Sequence, residues 1–154
     1  MRLMDVSGMA SASDRGIIVE TLDEMLKRHE GRSPIPYRDS VGVWTVGYGH
    51  NMGKPLSEAA LQQIFADDLR EAQHEVVQAF PWYADLTQPR QWVLVDMCFN
   101  LGLTRLQGFK KFLAAMERGD YETARTEMLD SVWRTQVKGR AVELANLIYG
   151  PEQV

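Results

Sequence analysis

One cysteine in 154 residues leaves no partner for an internal disulfide, which excludes the disulfide-stapled scaffolds of small secreted domains. That residue, Cys98, lies in an apolar run and reads as a small buried side chain rather than a reactive thiol. Long hydrophobic runs are missing as well. Val93-Leu94-Val95 is broken by Asp96, and the run after it stops at Asn100, far short of the ~18 apolar residues of a spanning helix. No membrane span is expected. The stretch Met1 to Gly8 holds a basic residue but no apolar segment of a secretory signal, so synthesis is expected in the cytoplasm. Positive charge is in deficit: a net charge of -4 and a pI near 5.4 remove the general nucleic-acid binders, which carry a basic face. No set of His, Cys, Asp and Glu has metal-ligand spacing, His29 and His74 read as solvated helix residues, and neither a metal nor a cofactor is expected. There is no internal repeat, low-complexity tract or dividing linker.

What remains is a chain of 45% hydrophobic and 25% charged residues, suited to one globular domain. Ser13 or Asp14 is placed to cap a first helix carrying Ile18, Leu22, Met25 and Leu26 at helical spacing, ended by Gly31 and Pro34. Glu30 then stands at its C-terminus. From Ile35 to His50, β-branched and aromatic residues broken by glycines predict a small twisted hairpin sheet. Ser57 opens a long helix with Leu61, Ile64, Phe65, Leu69, Ala72 and Val76 on one face, closed by Pro81. Thr87 and Pro89 start a helix that is apolar nearly all round and ends at Gly102, the expected buried centre. Shorter helices are predicted near Phe109 to Glu117, Tyr121 to Leu129 and Arg140 to Tyr149. Trp82, Trp92 and Trp133 read as core, and Trp44 is left between core and sugar platform. The fold class is α+β, mostly helical.

One constellation carries chemistry: Glu30, Asp39 and Thr45, followed by Gly47-Tyr48-Gly49-His50. Cleaving a glycosidic bond takes one carboxyl that gives a proton to the departing oxygen and another that is ionised opposite it. A helix end facing a hairpin supplies such a pair. The glycines at 42, 47 and 49 let the backbone turn sharply or let a sugar approach closely. Either carboxylate alone reads as a solvated charge or a turn former. The ordered set Glu-Gly, Tyr-x-Asp, Gly-x-x-Thr-x-Gly-x-Gly-His is more specific, and it resembles the motif of the T-even phage lysozymes and their relatives, glycoside hydrolase family 24. The resemblance extends over about residues 20 to 150, through Ser57 to Leu69, Asp96 to Gly102 and Ser131 to Arg140.

The resemblance implies a two-lobed lysozyme-like fold within one domain: a tail at 1–12, a small sheet lobe at 13–56, an inter-lobe helix at 57–80 and a helical lobe at 81–154. It implies that Glu30 is the proton donor, Asp39 the second carboxylate and Thr45 a residue that helps hold the attacking water. Arg140 resembles the arginine that pairs with the catalytic glutamate, and His50, Phe99, Asn100 and Gln136 match substrate-binding positions. His50 is also read as a hydrogen-bonded structural imidazole. The implied activity is hydrolysis, with inversion, of the β-1,4 bond between N-acetylmuramic acid and N-acetylglucosamine in peptidoglycan. The implied protein is a monomeric endolysin, made in the host cytoplasm and acting on the wall from the periplasm once a holin has opened the membrane. Two other readings stand beside it, a non-catalytic wall-glycan or protein binding domain and a lytic transglycosylase. The segment from His50 to Ser57 is shorter than in the T-even phage enzymes, which predicts a reduced small lobe. Acidic residues gather on the long helix and basic ones in the later segments, which would leave a cleft neutral or basic.

Overall fold

The computed structural model describes residues 20–149, which form two compact units dividing between Leu56 and Ser57. The expected tail, the cap at Ser13 or Asp14 and Ile18 lie outside the described residues. The first helix, α1, spans Leu22–Glu30 and is capped by Thr21 instead. Thr21 Oγ1 accepts from the Glu24 amide, and the Glu24 carboxylate accepts from the Thr21 amide at 2.8 Å. This reciprocal capping box is a stronger stop on the chain than the apolar spacing that suggested an earlier start. Asp23 and Glu24 in the first turn, with Lys27, Arg28 and His29 in the last, complement the helix dipole. Asp23 and Lys27 pair at 2.7 Å. These local terms matter because α1 has no buried residue.

Three antiparallel strands follow in the order β1 (Ser33–Arg38), β2 (Trp44–Gly47) and β3 (His50–Asn51). Tyr37 pairs with Thr45 and Arg38 with Trp44, while the register slips between Ser33 and Tyr37. Pro34 and Pro36 sit in that slipped stretch, where neither has an amide hydrogen for the ladder, and β1 is an edge strand that tolerates them. After Asn51 a turn leads directly to Ser57, as the short segment predicted.

The second unit is helical. Its α2 (Glu58–Ala79) is capped by Ser57 and is followed by a 3-10 turn at Pro81–Asp85. Next come α3 (Gln88–Leu101), α4 (Leu103–Gln107), α5 (Lys110–Glu117), α6 (Tyr121–Leu129), α7 (Val132–Val137) and α8 (Gly139–Ile148). The 3-10 turn, α4 and α7 are too short to show a hydrophobic period in the sequence. The core gathers on α3, whose Val93, Leu94 and Met97 are fully buried, with Val76, Leu106, Phe112, Met116, Met128 and Ile148 packed around them from the other helices. Each such side chain is worth about 1.5 to 3 kcal/mol against exposure. Trp133 is buried as expected, donates from its indole N–H to Asn100 Oδ1 at 2.9 Å, and meets Phe109 edge-on.

Two expectations fail here. Trp92 is 55% exposed rather than core, because the apolar circumference of α3 exceeds what its neighbours in the unit cover. On α2 only Ala72 and Val76 are buried, while Leu61, Ile64 and Phe65 near its start are exposed.

Cys98 is buried, and its Sγ lies 3.4 Å from Glu75 Oε2. Burial first, and then the Glu75 carboxylate, push the thiol up to about 12 from 9.0. The folded thiol therefore stays protonated where an unfolded one ionises, so its contribution is complete below pH 9 and is lost as pH climbs toward 12. The thermal midpoint of the parent should fall more steeply over that window than that of Cys98→Ser. A hydroxyl at this site can donate to Glu75, so the substitution should cost less than the ~1 to 3 kcal/mol of an unpartnered polar group. Denaturant titration of both proteins from neutral to alkaline pH checks both statements, and rapid labelling of the folded parent at neutral pH would contradict them.

Candidate active site

All three candidate catalytic residues, Glu30, Asp39 and Thr45, lie in the first unit. Glu30 is the last residue of α1 and is exposed. The chain leaves the helix through Gly31, whose amide bonds back to Lys27 O at 3.0 Å. The Glu30 side chain then runs along Gly49, in the two-residue connection between β2 and β3. A β-carbon at Gly49 would stand 2.5 Å from Glu30 Oε2. One residue earlier in the same connection, the Tyr48 ring lies under Lys27 Nζ at 5.7 Å. The last turn of α1 is thus set against this turn at two points.

Asp39 is half-buried at the start of the β1–β2 loop. Its Oδ1 accepts from the amides of Val41 at 3.0 Å and Val43 at 2.8 Å. Its backbone closes the same loop, with Asp39 N donating to Val43 O and Gly42 N to Asp39 O. Asp39 is therefore a turn former in fact. The work is done by one oxygen, and Oδ2 takes no part in these bonds. The turn fixes the carboxylate's direction and leaves one oxygen for other use.

Thr45 is the one buried polar residue among those described, at 5% exposure on the central strand between Tyr37 and Asn51. Its Oγ1 donates to Val43 O at 3.0 Å, leaving the oxygen lone pairs as acceptors. Val43 thus joins the two candidates, holding Asp39 through its amide and Thr45 through its carbonyl. His50 is exposed on β3, which counts against its structural reading and leaves the substrate-binding one open. Trp44 is 49% exposed with the Arg38 guanidinium 5.0 Å from its ring centroid. It borders a cavity of about 530 Å³ with Pro36, Val43, Asn51 and Met52.

The remaining candidates belong to the second unit. Phe99 and Arg140 line one cavity of about 560 Å³ together with Phe65, Trp92 and Asp96. Phe99 is 5.8 Å from Phe65, ring to ring. The partner of Arg140 there is Asp96, with Nε to Oδ1 at 2.7 Å and both side chains about two-thirds buried. In the sequence Asp96 reads as an interruption of an apolar run and as part of the segment resembling the family's central helix, with no partner assigned to it. A charge inside an otherwise buried helix was the available signal, since such a residue requires a partner. Asn100 and Gln136 are exposed and outside that cavity, and Asn100 accepts from Trp133.

A helix-end glutamate set against a small antiparallel sheet that carries an anchored aspartate supplies the two carboxyls that glycoside hydrolysis requires. A family model described as phage lysozyme matches residues 27–148, and the chain belongs to the phage lysozyme family. It is 27% identical to the endolysin of Acyrthosiphon pisum secondary endosymbiont phage 1, with 88% of this chain and 89% of that protein covered. Identity to probable T4-type lysozyme 2 of Dictyostelium discoideum is 25%, over 80% of this chain and 91% of the other. A further match, to the pre-baseplate central spike protein Gp5 of Enterobacteria phage T4, is 29% identical and covers 83% of this chain but 27% of the spike protein.

Proposed function

We propose that this lysozyme is an endolysin that hydrolyses the β-1,4 bond between N-acetylmuramic acid and N-acetylglucosamine with inversion at the anomeric carbon. The observation that carries the proposal is the pair of carboxyls on one small unit, with Glu30 set against Gly49 and Asp39 anchored through a single oxygen. Glu30 gives its proton to the glycosidic oxygen as the bond from that oxygen to the anomeric carbon breaks. Positive charge develops on the sugar. A water attacks the opposite face, its proton passes toward Asp39, and Thr45 Oγ1 accepts a hydrogen bond from it. The products are a free hydroxyl and a new reducing end, and solvent returns Glu30 and Asp39 to their starting states. Inversion requires room for that water, roughly 6.5 to 9.5 Å between the carboxyls.

His50, Phe99, Asn100, Gln136 and Arg140 are assigned to substrate binding, Arg140 in the setting that Asp96 gives it. The residues 13–56, 57–80 and 81–154 are taken as small lobe, connecting helix and helical lobe of one domain. The reading includes a monomer made in the host cytoplasm that reaches the wall from the periplasm after a holin opens the membrane, and the similarity to an endolysin supports its lytic part. The spike-protein match supports a second reading, in which the same muramidase chemistry serves a larger particle.

Digestion of purified peptidoglycan in ¹⁸O-water, with mass analysis of the products, tests the chemistry. Hydrolysis gives ¹⁸O-labelled reducing ends, lytic transglycosylation gives 1,6-anhydro ends, and a binding domain gives no soluble product. Proton NMR of the nascent anomer reads the stereochemistry. Thr45→Val should lower kcat by up to about tenfold, the worth of one hydrogen bond, while Thr45→Ser keeps most of the rate. Equal rates for the parent and both variants would remove Thr45 from the water's binding site.

A further inference from the structure

The geometry points to Gly49 as a positioning residue for the Glu30 carboxyl: the missing β-carbon in the β2–β3 connection leaves the space in which that carboxyl stands. This rests on the assignment of Glu30 as general acid. A β-carbon at Gly49 would lie 2.5 Å from Glu30 Oε2, 3.0 Å from Cδ and 3.4 Å from Cγ. The first distance is shorter than real β-carbon contacts allow and the second is tighter than most, so something must move. The oxygen is the free end of an exposed side chain, whose swing costs little stability. Its place is what changes. A general acid has to stand within hydrogen-bond reach of the leaving oxygen, and a misplacement of about 1 Å costs on the order of 10²-fold in rate.

Gly47 supplies the contrast within the same motif. Both glycines have left-handed backbones, with φ of 68° at Gly47 and 76° at Gly49, but a β-carbon at Gly47 meets nothing within 4 Å. They share a backbone requirement, and one of them touches the acid. Conformation alone therefore accounts for Gly47, whereas Gly49 also has a steric role toward Glu30. The neighbouring contact of Lys27 with Tyr48 brings the last turn of α1 to the same connection, so moving the carboxyl off Gly49 does not require the helix to move.

The experiment compares Gly49→Ala and Gly49→Asn with Gly47→Ala and Gly47→Asn, because asparagine tolerates a left-handed backbone yet carries a β-carbon. Thermal midpoint, kcat and KM on soluble glycan strands, and the ¹³C shift of the Glu30 carboxyl are measured for each. Both pairs should lose similar stability. The Gly49 pair should lose about 10²-fold in kcat with KM near the parental value, the mark of an interaction made only in the transition state. The Glu30 shift should move in that pair alone, and the Gly47 pair should lose at least tenfold less kcat than the Gly49 pair. A folded Gly49→Asn with parental kcat overturns the proposal, as does an equal loss of kcat in both pairs. Failure of both Gly49 variants to fold also overturns it, because the glycine would then be a backbone requirement. Glu30→Gln, run in parallel, separates the two ideas: if it retains activity the acid assignment fails, while the carboxyl shift still reports whether Gly49 sets that side chain's place.

Discussion

Glu30→Gln is expected to clear chloroform-treated Gram-negative cells at less than about a hundredth of the parental rate, the low end of what general acid catalysis contributes. The amide keeps the length and shape of the side chain and its place along Gly49, but it has no proton to give to the leaving oxygen. Glu30 is exposed at the end of a helix that has no buried residue, so the exchange disturbs no core packing. Folding free energy should stay within about 0.5 kcal/mol, as for surface substitutions away from special features. The turbidity assay and a denaturation curve together decide the matter. Clearing faster than a hundredth of the parental rate by a folded Gln variant rejects Glu30 as the acid.

Asp39→Asn is expected to be nearly as severe, a loss of about 10² to 10⁴-fold, with the fold retained. An asparagine carbonyl oxygen can still accept from the amides of Val41 and Val43, the two bonds that shape the β1–β2 loop. What disappears is the negative charge that takes the water's proton and stabilises positive charge on the sugar. Asp39→Ala removes both roles and should cost stability as well, about 1 to 3 kcal/mol for the loop amides left without their acceptor. Activity and circular dichroism of the two variants therefore separate base from turn former. If Asp39→Asn is folded and fully active, the two-carboxylate mechanism is wrong. If it loses activity only because it unfolds, Asp39 is a turn residue and nothing more.

The helices of the second unit were legible where local signals were strong. Ser57 with the long apolar period after it, Thr87 and Pro89 before α3, and Gly102 behind it each mark a boundary by backbone chemistry that needs no tertiary partner. The start of α1 lies later than the apolar spacing suggests, because the Thr21 and Glu24 capping box fixes the first turn at Leu22. Trp92 departs from its expected burial for a different reason. Residue type sets how much a side chain gains from burial, whereas exposure depends on which neighbours arrive to cover it, and Trp92 is not covered.

The motif from Glu30 to His50 determined the family, the pair of carboxyls and the small sheet by itself, because fixed spacing between residues of defined chemistry survives translation into any local conformation. Tertiary structure decided how those residues are held. That Asp39 spends one oxygen on its loop, that Thr45 is buried and tied to Val43, that Arg140 meets Asp96, and that Glu30 stands where Gly49 has no β-carbon are all relations across turns or between helices. Hydrogen bonds and steric contacts act over a few ångströms in space. Sequence separation, 19 residues for Glu30 and Gly49 and 44 for Asp96 and Arg140, carries no trace of that proximity until the chain has folded.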